Sequence, residues 1–159
     1  MTSVKQHNST VDSSKIHFQE FKIVKGQIDC PEEFSIESIE GHNYNIDFRL
    51  AFNLEDNLVK ADFNLTVDTK SENKEEAKAV FHLLYIFQVE NLKDFASLTE
   101  DGKIDLDSRL GITLASMSHS TSRGVFLTRF QGTALQRFVL PVVNPKDLLQ
   151  SSIEAESEE

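Results

Sequence analysis

The sequence predicts an α+β fold: a four-stranded antiparallel sheet with a long helix and a short C-terminal helix packed on one face. Three observations carry this. Segments in the first half of the chain alternate apolar and polar residues with a period of two, the signature of half-buried strands. After Asp105 the period changes to that of a helix. Near the end, Asn144-Pro145 places a capping residue before the residue favoured at the first helical position, which announces a second, short helix. Strands first and helices last is the order of an α+β layer fold.

The clearest strands are the middle two. In "NYNIDFRLAFNL", Tyr44, Ile46, Phe48, Leu50, Phe52 and Leu54 alternate with polar Asn45, Asp47, Arg49 and Asn53. After the polar turn "EDN" the pattern resumes as Val59, Ala61, Phe63, Leu65 and Val67 against Lys60, Asp62, Asn64 and Thr66. Two such runs across a short turn make an antiparallel hairpin. Upstream, "KIHFQEFKIVK" holds Ile16 and Phe18 in one phase and Phe21 and Ile23 in the other. One extra residue between the phases predicts a bulged strand. Downstream, "SENKEEAK" has a helical look, but Ala79, Phe81, Leu83, Tyr85, Phe87 and Val89 alternate, which assigns a strand. Leu84 and Ile86 make its other face apolar as well, and that face requires a partner.

From Asp105, which is read as the helix cap, Leu106, Leu110, Leu114, Met117, Thr121 and Val125 form one stripe. Ile112, Ala115, His119, Ser122 and Phe126 form another. The middle of this helix is rich in small residues, Ala115, Ser116, Ser118, Ser120, Ser122 and Gly124, which suits a helix sandwiched from more than one side. An extended segment then leads to Pro141.

Length and charge bound the function. At 159 residues the chain is read as one domain, residues 15–150, with a disordered polar arm over 1–14 and an acidic disordered tail over 151–159. A domain of this size buries roughly 70% of its unfolded surface without staples. The balance of 26 acids against 16 bases argues against nucleic acid, whose phosphates are bound by cations. Cys30 is the single cysteine, so no intrachain disulfide forms and a reducing compartment fits. The polar N-terminus lacks the apolar core of a signal peptide, and no run approaches the roughly 18 apolar residues of a spanning helix. These readings lead to the expectation of a cytoplasmic chain without stable membrane insertion.

No catalytic or metal site is expected, and no cofactor. "EDGKIDLD" aligns with the middle of a calcium loop, but that register puts Ser97, Thr99 and Ser108 where carboxylates belong. A glycine turn before a helix explains it better. His119 lies among serines inside a helix, where no strained turn or positioned acid makes a nucleophile. His7, His17, His42 and His82 have no ligand spacing to one another or to Cys30. The chain is therefore expected not to be an enzyme.

One stretch is out of character with an acidic protein. "STSRGVFLTRFQGTALQRFVLPVVNP", Ser120 to Pro145, contains Arg123, Arg129 and Arg137, no acid, and a dense set of apolar residues. Three cations in an acidic chain make a poor phosphate surface, whereas arginine stems lie well along apolar surface. Within it, "SRG" at Ser122 to Gly124 ends a long helix and is followed by an apolar linker and "LPVVNPKDLL". With Ile86-Phe87 late in the fourth strand and a first strand leading to Pro31, this resembles the SecB family of export chaperones over roughly residues 15–150.

The resemblance implies a non-enzymatic cytosolic homotetramer, a dimer of dimers with long helices packed between the dimers. It implies a protein that holds unfolded preproteins in apolar grooves and passes them to the motor SecA. On that basis Phe126, Phe130, Leu135, Phe138, Leu140 and Val142 are the expected client-binding residues, with the arginine heads at the rim. Asp29 falls on one motor-docking acid, but Lys25 and Leu84 stand where two others belong. The linker after Gly124 is also longer than in the export chaperones, and Val143 shifts the Pro-Val-Asn register. These departures resemble the divergent SecB-like branch, some members of which protect a labile antitoxin in toxin–antitoxin systems. The remaining alternative is a structural oligomer that binds no client.

Overall fold

The computed structural model describes residues 10–72 and 76–150. The expected polar arm lies outside the described residues as far as residue 9, and the expected acidic tail lies outside them altogether. Within them, Asp12 caps a single turn over Ser13–Lys15, and Val11 packs against the core.

Four long strands follow: β1 (Ile16–Asp29), β2 (Ile39–Asn53), β3 (Leu58–Ser71) and β4 (Lys78–Val89). They form one sheet in the order β1-β4-β3-β2, with every neighbouring pair antiparallel. The hairpin read from the two alternating runs is β2–β3, which sets Phe48 opposite Phe63 and Leu50 opposite Ala61. Its turn places Asn57 at φ 56°, a left-handed conformation that asparagine tolerates. The bulge in β1 is present between Phe18 and Glu20, and a second register shift lies between Ile23 and Lys25. Together they keep Phe18, Phe21, Ile23 and Ile28 opposite Phe87, Tyr85, Leu83 and Ala79, all on one face. Gly26 belongs to that face because a Cβ there would sit 2.9 Å from a ring carbon of Phe81. Only a residue without a side chain allows the approach.

The helix start is a correction. Asp105 does not cap it, because Ile104–Leu106 (β6) pairs with Ala96–Leu98 (β5) in a small hairpin around Gly102, whose φ is +77°. The ladder claims those residues first. The helix, α1, runs Ser108–Arg129, and its cap is Asp107, whose carboxylate accepts from the Arg109 amide at 2.9 Å. Leu110, Leu114, Ala115, Ser118, Ser122 and Phe126 are buried in it, at helical spacing. Asn144 then accepts from the Lys146 amide through its side chain at 3.1 Å and caps the short C-terminal helix α2, helical over residues 145–150.

The core lies between α1 and the inner face of the sheet. Every inner-face residue of β3 from Val59 to Val67 and of β4 from Ala79 to Val89 is buried. Phe126 is the hub: its ring lies 6.2 Å from Phe63, 5.4 Å from Phe81 and 5.7 Å from Phe130. One polar pair in this core is satisfied. The Tyr85 hydroxyl meets the Ser122 hydroxyl at 2.7 Å, and Ser122 donates to the Ser118 carbonyl, also at 2.7 Å. Burial pushes the Tyr85 phenol up to about 12.

Two substitutions test this core by urea unfolding. Phe126→Ala, which empties the hub, is expected to cost about 3–5 kcal/mol. Tyr85→Phe removes one neutral hydrogen bond while Ser122 keeps its bond to the helix backbone, so it is expected to cost only about 1 kcal/mol. Equal costs would show that α1 is docked by the hydroxyl pair rather than by the aromatic cluster.

Candidate functional site

Coverage of the inner face is uneven, and elementary dimensions explain why. Four strands at about 4.8 Å spacing present a face near 19 Å wide counted per strand. One helix with its side chains is about 10–12 Å across. It covers β3 and β4 and leaves the two edge strands to other elements.

On the β2 side the gap is filled by the chain's own C-terminal segment. Phe138 packs against His42 and Tyr44 of β2 and against Phe130, with ring centroids 5.4, 5.7 and 6.1 Å away. The segment then runs back along α1. Arg123 Nε donates to the Leu140 carbonyl at 3.0 Å, and His119, one turn earlier, hydrogen-bonds the Pro141 carbonyl. Leu149 of α2 lies close to Gly111, near the helix start. Arg137 reaches sideways to the Glu37 carboxylate at 2.9 Å.

Among the described residues, no such segment lies on the β1 side. Phe18 is 44% exposed and Phe21 39% exposed, although both point to the inner face. Their rings rest edge-on or tilted against the buried Tyr85 and Phe87: Phe18 at 5.6 Å from Tyr85 and 4.8 Å from Phe87, Phe21 at 5.3 Å from Tyr85. Val24, at the second bulge, is exposed beside them. This is an aromatic shelf on an edge strand, backed by a rigid core. Helical periodicity puts Met117, Thr121 and Val125 on the flank of α1 away from His119 and Arg123, hence towards the shelf.

The expected client-binding residues fall elsewhere. Phe126, Phe130 and Leu135 are fully buried, and Phe138 and Leu140 nearly so. In this conformation they seal the core rather than line open surface. Val142 alone of the six is open, at 86% exposure. The arginines also differ from a simple rim, since Arg123 is a strap anchor and Arg137 an ion-pair partner. The shelf itself was missed: nothing in the alternation of "KIHFQEFKIVK" says that this strand is the one at the sheet edge.

Asp29 sits at the end of β1 opposite Lys78 on the outer face, its carboxylate accepting from Gln27 at 2.9 Å. That outer face is not acidic. Glu20 pairs with Lys22 at 3.0 Å, Asp47 with Arg49 at 3.2 Å, and Asp62 with both Lys60 at 3.5 Å and His82 at 2.7 Å. Lys25 and the partly buried Leu84 lie among them.

Elsewhere, a cavity of about 230 Å³ opens where the β1–β2 connection meets β3, lined by Pro31, Phe34, Ile39, Thr69, Ala77 and Ala134 among others. Beside it the Glu76 carboxylate accepts from the Thr69 and Ser71 hydroxyls, and these bonds hold it below the usual carboxylate range. Among the described residues no group of three or more metal-ligating side chains gathers, and no helix is long and apolar enough to cross a membrane.

No family model and no curated protein matches the chain. Among solved structures, a SecB-like chaperone of Mycobacterium tuberculosis, in complex with a ChAD peptide from the HigA1 antitoxin, aligns with a TM-score of 0.55 at 14% identity. The alignment covers 82% of this chain and 91% of that one. A protein of unknown function from Streptococcus agalactiae covers 80% of this chain and 97% of its own at 10% identity, but its TM-score of 0.32 carries no argument. The architecture of this chain is a SecB-like fold, as the SRG and Pro-Val-Asn segments led one to expect.

The placement of the apolar stretch has a direct consequence. Replacing Leu135 and Phe138 by Ser removes two buried anchors, so the double variant is expected to unfold at markedly lower urea, by about 4 kcal/mol or more. An unfolding midpoint equal to that of the wild type would show that these side chains spend their time in solvent.

Proposed function

We propose that this chain is a non-enzymatic holdase of the cytoplasm, keeping apolar segments of unfolded polypeptide from aggregating. The observation that supports this most is the aromatic shelf of Phe18 and Phe21, half-exposed on an edge strand of a SecB-like sheet. Apolar attraction is non-directional, so such a surface accepts many sequences. An edge strand adds unpaired backbone groups to which an extended peptide can bond.

Two client classes fit about equally well: preproteins bound for Sec export, and a labile antitoxin of a toxin–antitoxin pair. The second is favoured by the outer face. Of the positions where the SecB resemblance expects motor-docking acids, only Asp29 is an acid, and the neighbouring Glu20, Asp47 and Asp62 are paired with cations. Lys25 and Leu84 stand in place of further acids. The bound antitoxin peptide of the mycobacterial chaperone is in line with this branch.

Assembly belongs to the same reading. The outward side of α1 carries Ser116, Ser120 and Gly124, with open space where a Gly124 side chain would stand, and Leu127 is exposed beside them. A helix so lined admits close packing against a second copy. A two-fold symmetric oligomer, a tetramer, is the expected state.

Three measurements follow. Light scattering at micromolar concentration is expected to give the tetramer mass, and a clean monomer contradicts the assembly. Phe18→Ser with Phe21→Ser is expected to weaken suppression of aggregation of a denatured reporter about thirtyfold, since each ring has about 1 kcal/mol of exposed surface left to bury. Unchanged suppression at unchanged mass would remove the shelf from the mechanism. Binding to the SecA tail is expected to be weak or absent, and Lys25→Asp with Leu84→Glu to restore part of it. Tight, salt-sensitive binding by the wild type would place motor docking on other acids.

A further inference from the structure

The segment from Phe138 to Val143 joins no strand of either sheet, yet Phe138 and Leu140 are buried while Val139 and Val142 face out. It lies over the inner face of β2 as a bound peptide would. Two histidines press on it from different elements. His42 of β2 stacks obliquely on Phe138, and His119 of α1 hydrogen-bonds the Pro141 carbonyl. In both, Nε2 is buried with no hydrogen-bond partner. A proton added at either Nε2 has no acceptor while the segment stays in place.

We propose that residues 138–143 are a releasable strap whose closure requires His42 and His119 to be uncharged, so that acidification frees the strap and uncovers the inner face of β2.

The surroundings fix the direction. Facing His119 are Arg123 on α1, a like charge once the imidazole is protonated, and the apolar ring of Phe63 on β3. The Pro141 carbonyl on the strap opposes these two. His42 faces Phe138 on the strap; the carboxylate that acts on it, Asp68 of β3, lies on the other face of the sheet and is already bonded to Asn43. Arg137, just before the strap, is paired with Glu37. Burial pulls both imidazoles below their ordinary value of 6.5, more strongly than the Pro141 carbonyl and Asp68 raise them. A freed strap therefore takes up protons that the closed form excludes. Closure is fully favoured above 6.5 and is lost as pH falls below it, each imidazole raising the open population by up to about tenfold per pH unit. Arg123 holds the Leu140 carbonyl at every pH and sets the baseline.

Hydrogen exchange of the full chain tests this without reference to any client, so the strap stands or falls apart from the holdase reading. Protection of residues 139–150, expressed relative to the amides of β3 to cancel intrinsic rates, is compared at about pH 7.5 and about pH 5.5. The expected result is a fall in relative protection of about tenfold or more. His42→Gln with His119→Gln, in which the amide at 119 can still donate to Pro141, is expected to abolish that response. Arg123→Met is expected to lower strap protection at both pH values and, by removing the like charge beside His119, to reduce the pH response. A relative protection in the wild type that does not change with pH overturns the proposal and needs no variant. So does a double variant that keeps the full response.

Discussion

The constraint on which the rest of this structure depends is one of width. The paired strands β3 and β4 bury an unbroken apolar face, and a single helix docked through Phe126 is wide enough to cover those two strands and no more. Each edge strand then carries the same inward period without the same cover. On β2 the chain supplies its own lid by folding residues 138–150 back along α1. On β1 none of the described residues supplies one, and Phe18 and Phe21 stay half-exposed. The asymmetry between a strapped edge and an open edge is what leaves an aromatic surface uncovered on β1.

Much of this was legible because period is a strong signal where a face is buried. The β2–β3 hairpin, the two-sided apolar character of β4 and the bulge in β1 all come directly from the spacing of named residues. The cap at Asp107 was misplaced by two positions because Ile104 and Leu106 satisfy a strand ladder as readily as a helical stripe. The site was less legible for a physical reason. Apolar density measures attraction to other apolar groups and does not say whether those groups belong to the same chain. Phe126 and Phe130 continue the helical period onto Phe81, a clue to core packing, and Gly132 at φ +76° turns the chain so that Leu135 and Phe138 follow them inward. The exposed pair on β1 is invisible to any such count, since exposure there follows from strand order.

The histidines show how one packing decision produces both stability and responsiveness. The strap has no ladder to join, so side chains of α1 must satisfy its carbonyls, and Arg123 and His119 do so from successive turns. An arginine in both places would hold the strap at any pH but would bury a second cation beside the first. Neutral imidazole donates the needed hydrogen bond without that charge, and the cost is sensitivity to protonation at the nitrogen left over. Tyr85 and Ser122 solve the neighbouring problem with groups that do not titrate near neutrality, which leaves the α1–β4 contact outside the switch.

Magnitudes also limit what one shelf can do. Phe18 and Phe21 together leave about 2 kcal/mol of burial unused, whereas ordering a flexible peptide on a surface costs at least about 4 kcal/mol in lost freedom. On the proposed holdase reading, a single copy would hold an extended chain too weakly to matter, even with edge hydrogen bonds added. Tight holding needs more apolar surface on the same client, and only two sources are at hand: the face beneath the strap, or the shelves of neighbouring copies. Linked weak contacts gain affinity steeply because each bound anchor raises the local concentration of the next. On that reading, oligomerisation is a requirement of the proposed holding rather than an accompaniment to it. A variant of this chain confined to monomers should keep its core and its shelf and still lose most of its hold on clients.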